Sequence, residues 1–186
     1  MSSDEIQIDA EERMEKALNV LRDELRGVRT GRASPALVDT LRVDYYGSPT
    51  PLRQLAAIST PDAQQILIKP FDPGCVKDIE KAIQQSNLGL TPNSDGKVIR
   101  LTIPAMSGEQ RQKMVAHIKK LAEKAKVSIR NIRQDANKAF DQAEKAKEMS
   151  EDERDAGKGE IQKLTDKYVE QSQSVADKKS AEILEQ

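Results

Sequence analysis

Apolar residues recur at helical spacing in both flanks of the chain and at strand spacing in its middle. Met14, Leu18, Leu21, Leu25 and Val28 follow one another at steps of four and three, the spacing that lines one face of a helix. Met114, Ile118, Leu121, Ala125, Ile129, Ile132 and Ala136 do the same. Ile161, Leu164, Tyr168 and Val175 mark a third face, with Gly157 and Gly159 expected to weaken its early turns. A serine precedes each pattern, with a Glu or Gln three places on: Ser2 with Glu5, Ser107 with Gln110, Ser150 with Glu153. That spacing lets two side chains satisfy the orphan backbone donors of a first helical turn. A helix from Ser107 to near Glu148 would run ~60 Å at ~1.5 Å per residue. Three helices with single apolar stripes must bury them against one another, which predicts an elongated three-helix bundle. The near-heptad steps favour shallow crossing angles.

The middle changes period. Leu41–Tyr46 reads as a strand that stops at Gly47, Ser48 and Pro49, Ile66–Lys69 as a second, and Val98–Ile103 as a third. Val76, Ile79, Ala82 and Ile83 mark a short helix between the last two. All eight prolines lie between Pro35 and Pro104, so only the flanks can carry long unbroken helices. The expected class is α+β. Residues 1–30 and 105–186 would form the bundle, and 31–104 an inserted β/α/β domain on two connectors, at Thr30, Gly31, Arg32 and at Pro104 to Gly108. Glycine at both exits tolerates backbone angles that other residues resist, so these connectors are hinge candidates.

Composition narrows the function classes. One third of the residues are charged and 3% are aromatic, which suits thin helices with narrow apolar seams. Cys75 is the only cysteine, excluding an internal disulfide and a cysteine-rich metal site. The N-terminus has neither the basic start nor the apolar run of a secretory signal, and no apolar stretch approaches the ~20 residues that span a bilayer. A cytoplasmic protein is expected, with no membrane association.

The net charge of −1 hides a segregation. Residues 105–140 carry nine basic and three acidic side chains, whereas 141–186 carry eight and thirteen. Within the cationic segment, Lys119, Lys126, Arg130 and Arg133 fall within about 60° of one another at ~100° per residue, and Asn137 continues the line. The stripe flanks the apolar face, leaving the side chains free for a partner. With few acidic neighbours, Arg130 and Arg133 fit phosphate, which the planar guanidinium matches well. Arg22, Arg26 and Arg29 form a second line; for Arg22 and Arg26, helix-dipole compensation and anion binding both remain open. His117 and Cys75 have no partner at catalytic or metal-ligand spacing, and His117 reads as an ordinary structural histidine. Gly157-Lys158-Gly159 lacks the full pattern and the preceding strand of a phosphate loop. The residues alone therefore point to an RNA-binding or anion-binding helical protein, with a structural coiled-coil or chaperone-like adaptor as the rival.

Longer strings carry a resemblance. Arg29-Thr30-Gly31-Arg32-Ala33-Ser34-Pro35 and Tyr45-Tyr46-Gly47-Ser48-Pro49-Thr50-Pro51-Leu52-Arg53-Gln54-Leu55 are similar to signatures of bacterial and organellar ribosome recycling factors. So are Lys81-Ala82-Ile83 through Leu88-Gly89-Leu90, Pro92-Asn93, and Arg130-Asn131-Ile132-Arg133. The resemblance runs from the first helix to the last in unbroken order. It implies an L-shaped molecule with roughly the outline of a transfer RNA, which binds the ribosome after termination. It further implies that the factor splits the subunits with elongation factor G and GTP, freeing messenger RNA, before initiation factor three keeps them apart. The family hydrolyses nothing itself and needs no cofactor, and a monomer is expected. Its ribosome-contacting arginines fall on Arg29, Arg130 and Arg133, beside the face turned to large-subunit RNA; Lys119 and Lys126 extend that RNA-binding set along the stripe. Gln134 stands where many members carry another arginine.

Overall fold

The computed structural model describes residues 2–185. In chain order its elements are α1 (Ser3–Arg26), β1 (Arg42–Tyr45), β2 (Ser48–Pro51), the single turn α2 (Leu52–Leu55), β3 (Ala56–Asp62), β4 (Gln65–Pro70), α3 (Val76–Gln85), β5 (Pro92–Ser94), β6 (Ile99–Thr102), α4 (Gly108–Lys145) and α5 (Glu151–Leu184). Two compact units result. One holds the chain up to Thr30 and again from Gly108 onward, and the other holds Gly31–Ser107.

In the first unit, α1, α4 and α5 pack together around a seam containing Met14, Leu18, Leu21, Ile118, Ile129, Phe140 and Ile161, all essentially fully buried. The expected capping boxes at Ser2 and Ser150 are formed. The Ser2 hydroxyl accepts from Glu5 N–H at 3.3 Å while Glu5 accepts from Ser2 N–H at 2.8 Å. Ser150 and Glu153 repeat the exchange at 3.2 and 2.7 Å, and those donors hold the Glu153 carboxyl below its ordinary range. Each box satisfies two donors that a bare helix start would leave to water.

The α5 face differs from the one expected. Leu164 and Val175 lie half-buried at its margins, and Thr165, Ser172 and Ala176 share the seam with Ile161 and Tyr168. The two hydroxyls are tolerated because each donates to a carbonyl of its own helix, Thr165 to Ile161 and Ser172 to Tyr168, both at 2.8 Å. Met114 and Leu121 of α4 are likewise marginal, and Ala122 takes a core position. Small residues let the helices approach closely, and Gly157 carries this furthest: it is buried directly against the Phe140 ring. It belongs to the packing and is not a weak point in the helix.

The second unit has three strands beyond those read from the sequence. The chain does not stop at Gly47-Ser48-Pro49 but turns there. Tyr46 and Gly47 both take positive φ, 50° and 81°, and β2 folds back antiparallel on β1 with Tyr45 opposite Ser48. Two consecutive left-handed residues make the tight turn whose twist matches a hairpin. Pro49 and Pro51 sit opposite Asp44 and Arg42, alternate positions at which a two-residue hairpin turns the backbone nitrogen away from its partner. The larger sheet has the order β3-β4-β6-β5, antiparallel throughout. Its central strands bury Ile66, Ile68, Ile99 and Leu101, and the Val76, Ile79 and Ile83 face of α3 joins them in one cluster. The edge strands lack an alternating apolar pattern for a physical reason. β3 is mostly exposed and its register breaks between Ser59 and Asp62, and β5 is only Pro-Asn-Ser; edges carry proline, irregularity and polar residues because they face water. Beyond β6, Ile103 N–H donates to Gln64 carbonyl at 2.7 Å, so sheet bonding runs one residue further.

Candidate nucleic-acid interface

The register of α4 against α5 decides where the cationic stripe lies. Lys126 Nζ meets Gln173 Oε1, Arg133 Nη1 donates to Gln162 Oε1 at 3.1 Å, and Lys158 Nζ donates to Asp141 at 2.5 Å. The falling partner numbers are those of antiparallel helices. Lys126 and Arg133 therefore border the α4/α5 seam, held by neutral amides that fix their direction without cancelling their charge. The opposite edge of α4 is used differently. There Arg13 of α1 pairs with Asp135 at 2.8 Å and Lys124 pairs with Glu24 at 2.8 Å, tying α1 to α4.

Arg130 and Lys119 complete the stripe. Lys119 is exposed and meets no acidic side chain among the described residues. Arg130 has an acidic partner that was not expected, Glu123, at 3.0 Å with the two side chains 45% and 58% exposed. The helical phase that gathers the cations also places Glu123 among them, so this contact was legible from spacing. At such exposure the pair is worth only about 0.2–1 kcal/mol, and a phosphate can displace the carboxylate. The stripe is thus a row of four cations, one of them loosely neutralised, along one edge of a rigid helix.

The second cationic line lies on α1 and just beyond it. Arg22 donates to Asn19 at 3.1 Å and Arg26 pairs with Asp23 at 3.2 Å. Arg29 is exposed and, with Glu24, Val28, Met114, His117 and Leu121, lines an open depression of about 380 Å³. His117 is exposed and forms part of the wall of that depression. The stripe and Arg29 are on the same unit. The α1 line also gains two residues that the sequence reading missed: Lys178 and Lys179 of α5 share a groove with Arg22 and Arg26. Only the α1/α5 register reveals them, because they stand far along the chain in an acidic stretch.

At the connectors, Gly31 adopts φ +75°, a region that costs a side-chain-bearing residue about 1–2 kcal/mol. Thr30 and Arg32 flank it, and Pro104 lies exposed past the end of β6. Gly108 is the first residue of α4 and has open space where a Cβ would stand, so its glycine is not required by a left-handed backbone. Among the described residues no cluster of His, Cys, Asp or Glu could hold a metal ion. Among the same residues no helix is long and apolar enough to cross a membrane. Cys75 is buried, and burial together with Asp72 raises its thiol above the ordinary range, which leaves it unreactive.

The family model for ribosome recycling factor matches residues 21–184. The chain belongs to the ribosome recycling factor family. The ribosome-recycling factor of Oleidesulfovibrio alaskensis is 50% identical over 182 residues, 98% of this chain and 99% of that protein. That of Bacillus subtilis is 47% identical over 183 residues, with the same coverage. The Rhodopirellula baltica ribosome-recycling factor reaches 65% over 139 residues, 75% of each chain. The solution structure of a ribosome recycling factor matches with a TM-score of 0.82 at 39% identity, covering 100% of this chain and 99% of that one. The T. thermophilus ribosome recycling factor, in a structure with E. coli elongation factor G bound to the E. coli post-termination complex, matches with a TM-score of 0.67 at 39% identity, covering 99% of this chain and 100% of that one. As a member of this family, the chain is a non-enzymatic translation factor of ribosome recycling.

Proposed function

We propose that this protein binds the large ribosomal subunit after termination and, with elongation factor G and GTP, separates the subunits and frees the messenger RNA. On this reading it works in the cytoplasm as a monomer, needs no cofactor of its own, and acts before initiation factor three. The observation that carries the reading is the row of Lys119, Lys126, Arg130 and Arg133 along α4, in a family one of whose structural neighbours is bound to a post-termination complex with elongation factor G. Phosphate contacts from such a row, with Arg29, supply affinity and orientation without reading sequence, which suits a factor that recognises one site by shape. The bundle, residues 1–30 and 105–186, would be the rigid RNA-held part. The inserted domain, 31–104, would be the moving arm, with Thr30, Gly31, Arg32, Pro104 and Gly108 as its hinge.

The test is a subunit-splitting assay on post-termination ribosomes by light scattering, with each component left out in turn. Splitting is expected only when the protein, elongation factor G and GTP are all present. Binding without splitting under the full mixture would instead mark an adaptor.

A further inference from the structure

The groove between α1 and α5 gathers four cations for which the fold has no evident use. Arg22 and Arg26 come from α1, and Lys178 and Lys179 from α5, around a floor of Leu25 and Val175. The parallel register that brings Lys167 to Glu11 at 3.7 Å carries on to set Lys178 beside Arg22. α5 is otherwise acidic, yet a single carboxylate, Glu182, borders this groove. Like charges this close repel, and the available compensation is slight. Lys179 pairs with Glu182 at 3.4 Å and Arg26 with Asp23 at 3.2 Å, both within one helix. Arg22 donates to the neutral Asn19 amide at 3.1 Å, and Lys178 is exposed with no acidic contact among the described residues. At least two positive charges are therefore left for an outside anion. Arg22 and Arg26 are one turn apart, about 6 Å along the axis, so the cations form a short track and not a point.

We propose that this groove is a second contact for an RNA phosphate backbone, on a face of the bundle distinct from the α4 stripe. The inference rests on the reading that ribosomal RNA is the partner. Extending the α4/α5 register by about two turns from the Lys126–Gln173 contact brings Lys119 level with the α5 turn that carries Lys178 and Lys179. The two cationic surfaces thus flank α5 at the same height, and RNA elements lying to either side of that helix would clamp it between them. The mixed apolar floor suits the sugar edge of a backbone lying in the groove, while the long cationic side chains reach its phosphates.

The experiment measures binding of the full chain to isolated large subunits across a salt series, for the unaltered protein, an Arg22→Gln/Lys178→Gln double variant and an Arg133→Gln variant. All these side chains lie outside the buried seam, and unchanged circular dichroism melts confirm that the variants fold. The double variant is expected to weaken binding and to lower the log–log salt slope by about 0.7–0.9 for each lost phosphate, roughly 1.5 in all. An unchanged slope and affinity in the double variant, with a fall in Arg133→Gln, would overturn the groove and keep the RNA reading. Normal binding with lost splitting by elongation factor G would also overturn it, because the groove would then serve an acidic protein surface. A flat salt dependence for the unaltered protein would remove RNA phosphate as the partner of either face.

Discussion

A Cβ placed on Gly157 of α5 would lie 2.3 Å from Cε1 of Phe140 on α4 and 2.5 Å from its Cζ. Phe140 is completely buried within the bundle seam, so shifting its ring disturbs the packing around it. Gly157→Ala therefore sets two known effects against each other. Alanine improves helix propensity by about 1 kcal/mol, while overpacking a closed core costs about 1–3 kcal/mol. With a rigid ring the cost falls at the upper end, and a net loss of roughly 2 kcal/mol is expected. Gly159 is the control, since nothing lies within 4 Å of its Cβ position; Gly159→Ala should stabilise by about 0.5–1 kcal/mol. Thermal melts of the two variants should move in opposite directions. A Gly157→Ala variant as stable as Gly159→Ala would mean that the ring is free to yield.

The same pair marks where sequence reading runs out. The apolar steps on α1 and α4 were legible because Leu18, Leu21, Ile118 and Ile129 are large and recur at helical spacing. On α5 the seam is made of Gly157, Thr165, Ser172 and Ala176 between a few larger residues, and hydropathy does not distinguish small buried residues from small exposed ones. The central strands were legible from Ile66, Ile68, Ile99 and Leu101, while the edges β2, β3 and β5 carry proline and polar residues and read as loop. For the proposed interface, helical phase alone groups Lys119, Lys126, Arg130 and Arg133 on one stripe. It could not find Lys178 and Lys179 beside Arg22, because that proximity exists only once two helices pack.

Glu123 competes with any anion for Arg130, so removing its charge should help the proposed RNA contact. Glu123→Gln is expected to strengthen large-subunit binding by about 1.5- to 5-fold, the equivalent of an exposed pair worth roughly 0.2–1 kcal/mol. Folding stability should fall by no more than the same amount. Titration at fixed salt is the measurement, and weaker binding would place Glu123 itself in contact with the partner.

Arg133 is half-buried and, among the described residues, donates to the neutral Gln162. Arg133→Ala should change stability by less than about 1 kcal/mol, the scale of an ordinary neutral-acceptor bond. Loss of a charge-assisted phosphate bond, by contrast, costs about 1.5–3 kcal/mol, or roughly 10- to 150-fold in affinity. The two readouts separate a structural from a binding role. Unchanged ribosome affinity in a normally folded variant would remove Arg133 from the interface.

One source of acid sensitivity should lie at the α4/α5 turn. The Asp141 carboxyl is held below its ordinary range, first by the hydrogen bond from Lys158 and then by the charges of Lys158 and Arg154. A carboxyl lowered in the folded state contributes stability that is present above its unfolded value, about 4, and is lost as pH falls through the lower folded value. Asp141→Asn removes that linkage. Compared with the unaltered protein, the variant should lose less stability between neutral pH and pH values below about 4, read as the shift in urea midpoint. Equal midpoint shifts in the two proteins would mean that the bond to Lys158 does not persist in solution.

Gly31 already occupies φ +75°, so an L-residue there would strain the path by about 1–2 kcal/mol. Two connectors also restrict the arm more than one would, because each must reach the bundle at its own point. If the push of elongation factor G is transmitted by swinging residues 31–104, then immobilising that unit should separate two activities. A short bifunctional thiol reagent can join one cysteine introduced in each unit; native Cys75, 2% exposed, does not compete for it. The cross-linked protein should bind large subunits with unchanged affinity and salt slope, since those report the cations of the bundle. Splitting should fall to the rate seen without the factor, and reduction of a cleavable linker should restore it. Gly31→Ala gives a second approach that needs no reagent: binding kept, splitting slowed. Splitting at the full rate by the cross-linked protein would show that the two units act as one rigid body and that the force passes through the bundle.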